Sequence, residues 1–116
     1  MLPNIQVRSP ERQNPMDTKQ EVAARLKHLR RAWGYDQAKP FAAWVGVEYA
    51  TWNYYETGTR DLSVQNALKV CQKTGASLDW LFRGLDHTLP DHVLERLRQT
   101  PEAPAKPQKP RLVASE

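Results

Sequence analysis

The fifteen residues from Gly46 to Arg60, "GVEYATWNYYETGTR", hold four aromatic rings (Tyr49, Trp52, Tyr54, Tyr55), two glutamates, one arginine and no lysine. Such a stretch can fill a core, or it can offer rings and the Asn53 amide to a partner. The other reactive side chains point to neither metal nor covalent chemistry. His28, His87 and His92 do not pair at helical ligand spacing, and Cys71, the single cysteine, falls on an apolar helix face. No zinc or iron site is expected from that set. No glycine-rich phosphate loop is present, and no Ser/His/Asp order assembles a nucleophile. Asp36, Asp61 and Asp79 read as helix caps or turn residues. The expectation is a non-enzyme with no catalytic residue, no metal and no cofactor.

The chain has 116 residues with 17 Lys+Arg against 13 Asp+Glu, a net charge of +4, and a pI near 9.4. This length supports one small domain with flexible ends. The charge fits a polyanionic partner without requiring one. One cysteine excludes an internal disulfide. No apolar run approaches the roughly 20 residues that span a bilayer, and "MLPNIQVRSPERQNP" lacks the apolar centre of a secretory signal. A cytoplasmic protein with no membrane partner is expected.

The elements that must position the aromatic stretch are helical. Residues 1–16 have three prolines and no sustained period and read as a disordered arm, with Met1 and Met16 both open as the start. Thr18 and Glu21 stand at capping-box spacing. Val22, Leu26, Leu29 and Trp33 then mark one face of a helix over 18–33 that Gly34 stops. A second helix follows Asp36, with Phe41, Ala42 and Val45 inward, Pro40 in its first turn and Gly46 at its end. A third runs over 48–56 and is closed by Gly58. The fourth starts at Ser63, with Val64, Ala67, Leu68 and Cys71 on one face, and stops at Gly75. The fifth starts at Ser77 and buries Leu78, Leu81 and Phe82 before Gly84. A sixth, "PDHVLERLRQT", is amphipathic through Val93, Leu94 and Leu97. The fold class is all-α. Residues 101–116, rich in proline, read as a disordered tail whose Lys106, Lys109 and Arg111 solubilise it or touch phosphate. So small a bundle has a stability on the order of 5 kcal/mol. Helix six over 85–100, or pairing of two chains, would add burial. Trp80 lies off the Leu78/Leu81/Phe82 face, so its ring is covered either by helix six or by a second chain.

In order, the chain shows a Gly-apolar turn (Gly46, Val47), a short helix, Tyr-Glu-x-Gly (Tyr55 to Gly58), Arg60, an amphipathic helix and "SLDWLFRG". This order and spacing over 18–84 resembles the lambda-repressor-like (Cro-type) helix-turn-helix family of small bacterial and phage-type regulators. The resemblance implies a five-helix DNA-binding domain over 17–84, with the short helix six appended. Gly46 supplies a positive φ for the turn and Val47 fills the angle between the two helices. Trp52 and Tyr55 point to the core, and Glu48 caps free amide hydrogens at the helix start.

By family position, helix three lies in the major groove and Tyr49, Ala50, Asn53 and Tyr54 read base edges. Asn pairs with adenine, Ala meets a thymine methyl, and Tyr offers a hydroxyl and a ring. The phosphate positions are Arg60, Thr51, and Gln37 or Lys39 at the start of helix two. Gln37 matches when counted from Gly34, and Ala38 when counted back from Gly46. Two features depart from the family pattern. Helix three has no cation, and Trp44 stands where a polar residue is usual, as a partner contact or as a cover for an apolar edge. Arg25, Lys27, Arg30 and Arg31 make a basic run on helix one, either merely solvated or adding sequence-blind attraction. The implied function is a sequence-specific DNA-binding transcriptional regulator, a repressor by promoter occlusion, binding double-stranded DNA as a homodimer. The alternative is a protein-interaction module using Trp44, Tyr49 and Tyr54, or an antitoxin that combines both roles.

Overall fold

The structure, a computed structural model, describes residues 18–101. The expected arm over 1–16 and all of the expected tail except Pro101 lie outside the described residues. Six α-helices and one 3-10 turn follow in order, and no strand occurs among the described residues. They are α1 (Lys19–Ala32), α2 (Ala38–Val45), α3 (Tyr49–Glu56), α4 (Val64–Thr74), α5 (Leu78–Arg83), the 3-10 turn (Asp86–Thr88) and α6 (Asp91–Arg98). No helix is long and apolar enough to cross a membrane among the described residues.

Local chemistry explains the boundaries. At the start of α1, the Thr18 hydroxyl accepts from the Glu21 amide at 3.3 Å while the Glu21 carboxylate accepts from the Thr18 amide at 2.9 Å. Two of the free donors of the first turn are thereby satisfied. Ser63 and Ser77 cap α4 and α5 by accepting from the amides of Asn66 and Trp80. The cap of α2 is Gln37, not Asp36, and its side chain makes no capping hydrogen bond. Asp79 lies in the first turn of α5 and pairs with Arg83 at 3.6 Å across the exposed surface.

α1 is the spine, packing against α3, α5 and α6. Phe41, Trp52, Leu26, Leu29, Leu81, Val70 and Val93 are the most completely buried large side chains. The rings of Phe41 and Trp52 meet edge-on at 5.4 Å, and Tyr35 adds its edge to Phe41 at 5.2 Å. These offset and edge-on contacts are the favourable arrangements for aromatic quadrupoles. Trp44 stacks on Tyr35 at 5.8 Å, with Lys73 5.6 Å over its ring. It therefore covers the apolar edge of the aromatic cluster.

Two expected faces are corrected. On α4 the buried residues are Ala67, Val70 and Thr74, whereas Val64 and Leu68 are 58% and 46% exposed. The face turns toward Thr74 because that hydroxyl is satisfied internally: it donates to the Val70 carbonyl at 2.8 Å and accepts from the Ala76 amide at 3.2 Å. On α5 the buried pair is Trp80 and Leu81, with Leu78 and Phe82 only partly covered. Trp80 is buried within the single chain, and Leu94 and Leu97 of α6 line the same cleft.

Gly46 and Gly84 end α2 and α5 in the left-handed region, at φ 91° and 76°. A Cβ on Gly46 would touch nothing within 4 Å, whereas one on Gly84 would stand 2.7 Å from Nη2 of Arg25. Gly46→Ala should therefore lose only the left-handed strain, about 1–2 kcal/mol. Gly84→Ala should lose more in parallel denaturant titrations. Equal losses would mean that Arg25 swings aside without cost.

Candidate nucleic-acid interface

The turn that aims α3 is built from three residues, Gly46 to Glu48. The amides of Gly46 and Val47 both return to the Ala42 carbonyl at 2.9 Å, closing α2. Val47 is buried between the helices, as its apolar character requires. Lys69 on α4 donates to the Gly46 carbonyl at 3.2 Å and props the turn from below. Glu48 holds the cap position of α3 through its backbone only. Its side chain makes no capping bond to an amide and instead accepts from the Thr51 hydroxyl at 3.4 Å. The expected side-chain cap is absent because the carboxylate lies toward that hydroxyl.

α3 has an inner and an outer face. Trp52, Tyr55 and Glu56 are buried, while Tyr49, Ala50, Asn53 and Tyr54 are all exposed. A buried network fixes the inner face. Glu56 takes two hydrogen bonds from Arg30 of α1, at 2.8 and 3.2 Å, and a third from the Trp52 indole N–H at 2.6 Å. The same guanidinium donates through Nη1 to the carbonyls of Tyr35 and Asp36 at 2.9 and 2.6 Å. Arg30 thus leaves the basic run on helix one and becomes an interior clamp. The charge pattern concealed it because its partner lies on a different helix.

Tyr55 ties α3 to α4. Its hydroxyl donates to Ser63 Oγ at 3.5 Å and accepts from the Asn66 amide nitrogen at 2.8 Å. Burial alone would raise the phenol pKa, but the hydrogen bonds to Ser63 and Asn66 and the charge of Arg60 outweigh it and lower the value.

On the outer face, Arg60 places its guanidinium 4.2 Å from the centre of the Tyr54 ring, within cation–π range. Tyr54 therefore belongs to the surface and not to the core beside Tyr55. Its carbonyl accepts from the amides of Thr59 and Arg60 at 2.9 and 3.3 Å, and this folds the loop back along α3. The five side chains Tyr49, Ala50, Asn53, Tyr54 and Arg60 are thus brought to one exposed face. Gln37 and Lys39 are exposed at the start of α2, about 12 Å along that helix from Gly46. Thr51 is only partly exposed, and its hydroxyl is engaged with Glu48.

Lys69 and Lys73 of α4, which the sequence reading did not single out, lie against the Gly46 carbonyl and the Trp44 ring. Their spacing of four puts them on one side of α4, but only the fold shows that this side meets α2 and the turn. Elsewhere, His28 Nε2 sits 3.0 and 2.8 Å from the carbonyls of Leu97 and Thr100, so it carries the proton and donates. Among the described residues no three His, Cys, Asp or Glu stand together as a metal site. Burial pushes the Cys71 thiol up to about 11.

No family model, curated protein or solved structure matches the chain.

Two measurements check the interior chemistry. Glu56→Ala leaves the buried Arg30 charge without its partner, a loss of about 3–5 kcal/mol. That is comparable to the stability of a small domain, so circular dichroism at room temperature should show a largely unfolded chain. Replacing both partners, Arg30→Met with Glu56→Leu, should restore much of the helical signal. For Cys71, a thiol that deprotonates near 11 instead of near 9 presents roughly a hundredfold less thiolate at pH 8. Alkylation of the folded chain should be slower than that of the urea-unfolded chain by about this factor.

Proposed function

We propose that the chain is a sequence-specific DNA-binding regulator of the lambda-repressor-like helix-turn-helix type, with α3 as its recognition helix. One observation carries the reading: α3 is held by Trp52, Tyr55 and Glu56 so that Asn53 and its neighbours are exposed, with Arg60 seated beside them on Tyr54. A rigid outer face with an amide, a methyl, two phenols and a flanking cation matches what base edges and an adjacent phosphate require. Asn53 reads adenine, Ala50 meets a thymine methyl, and Tyr49 and Tyr54 supply hydroxyls and apolar edges. Arg60 contacts phosphate, joined by Gln37 or Lys39. Thr51 contributes less, since its hydroxyl already serves Glu48. Two copies on half-sites about one helical turn apart would bind as a dimer. Occupancy of a promoter by so small a domain would repress transcription by exclusion.

A second reading, a protein-interaction module, is favoured by the exposed Tyr49, Tyr54, Val64 and Leu68 and by the lack of cations on α3. Trp44 no longer supports it, because that ring is taken up by Tyr35 and Lys73.

Selection from a random DNA pool, followed by gel retardation, distinguishes them. On the DNA reading, Asn53→Ala relaxes preference at one base pair, a loss of about 1–3 kcal/mol. Arg60→Ala weakens binding on every sequence and reduces the salt slope by about one. No retarded DNA with micromolar protein at about 0.1 M salt would defeat the proposal.

A further inference from the structure

A cleft of about 330 Å³ opens between α1, α5 and α6, and none of its lining residues belongs to α3. Its size lies at the low end of small-molecule pockets, which run from about 300 to 1,000 Å³. Trp80, Leu94 and Leu97 form apolar walls. Arg25, Arg98 and Asp86 supply the formal charges, so guanidinium outnumbers carboxylate two to one.

Several contacts hold the walls in place. Arg25 donates through Nη1 to the Leu81 carbonyl at 2.9 Å. Its head is seated over Gly84, where a side chain would collide with it. Burial removes part of its hydration, which also lowers its pKa. A five-donor fork can add an anion to the partners it already has, the Leu81 carbonyl among them, and partial desolvation strengthens such a charge-assisted bond. α6 is pinned to α1 from both sides. His28 donates to the Leu97 and Thr100 carbonyls, while Arg96 donates to Ala32 at 3.1 Å and lies 4.5 Å over the Trp33 ring. Arg98 and Asp86 are exposed at the mouth, and Arg98 reaches Glu95 only at 4.0 Å.

We propose that this cleft binds a small carboxylic acid with an apolar body, its carboxylate on Arg25 and Arg98 and its body against Trp80, Leu94 and Leu97. The charge excess selects an anion over a cation. The walls select an apolar body, since inorganic phosphate would leave them uncovered. The inference stands apart from the DNA reading, because the two sites share no residue.

Phenylpropionate titrated into the ¹⁵N-labelled full chain tests it by NMR. The expected result is saturable movement of the Trp80 indole N–H and the α6 amides, with a dissociation constant of about 1 mM or tighter. Phenylpropionamide and inorganic phosphate should bind at least about tenfold more weakly. Arg98→Gln, at an exposed position, and Arg25→Gln, which keeps a donor for Leu81, should each weaken the acid by about tenfold. If Arg25→Gln fails to fold, Arg98→Gln decides. No saturable shift by about 10 mM acid overturns the proposal. So does equal binding of the amide, or unchanged affinity in the folded variants.

Discussion

Arg30 and Glu56 meet in the interior, with side chains only 11% and 7% exposed, so water replaces neither partner for the other. Two charges taken out of water cost several kcal/mol each, on the order of what their attraction returns. The pair persists because most of its hydrogen-bonding capacity is used: two bonds between the ions, one from the Trp52 indole, and two to the carbonyls of Tyr35 and Asp36. Apolar residues of similar volume would avoid the cost of burying the charges but would leave the Trp52 indole N–H and the Tyr35 and Asp36 carbonyls without these partners. What they would not supply is direction. Trp52 and Glu56 lie one helical turn apart, so holding both fixes the roll of α3 about its axis. Asn53 follows Trp52 by one residue, about 100° around the helix, and is thereby turned outward. The exposed face of α3 is a consequence of the buried one.

The same network changes how the chain's charge should be read. Arg30 is interior, and Arg25 is partly desolvated and bonded to Leu81. One member of the basic run on α1 therefore acts inside the fold, and a second is half-buried with a backbone partner. Arg60 is held over Tyr54 on α3, while Lys69 and Lys73 of α4 are held against the Gly46 carbonyl and the Trp44 ring of α2. A net charge of +4 does not say where a polyanion would feel it; the tertiary partners of each cation do.

Boundaries were legible in the sequence because their causes are local. Thr18 with Glu21, Ser63, Ser77 and the helix-ending glycines act within four residues of themselves, and each stands where its element starts or stops. The inward direction of Trp52 and Tyr55 was also legible from their spacing. Faces on the shorter helices were less so. Apolar counting on α4 favoured Val64 and Leu68, and it missed Thr74, whose hydroxyl is satisfied by its own helix and by Ala76. Trp80 depended on whether α6 docks over it, and Arg30 on a carboxylate 26 residues away. Periodicity carries no information about such distant partners. The exposure of Asn53, Tyr49, Ala50 and Arg60 agrees with the outer face read from their positions, whereas the contacts of Lys69 and Lys73 required knowing which side of α4 faces the turn.

α1 connects both candidate sites. It grips α3 through Arg30, and α5 and α6 through Arg25 and His28. A signal routed along it would run from the cleft to the exposed face of α3. Coupling between sites requires an element with two arrangements that each ligand biases differently. The structure shows α1 in one arrangement. Its start is closed by a capping box, its end by Gly34, and its Arg30 holds Glu56 and two carbonyls at once. A helix so fixed transmits position without transmitting choice. Occupancy of the cleft would therefore stabilise the docking of α6 while leaving the roll of α3, and with it the reach of Asn53, where the Arg30–Glu56 pair holds it.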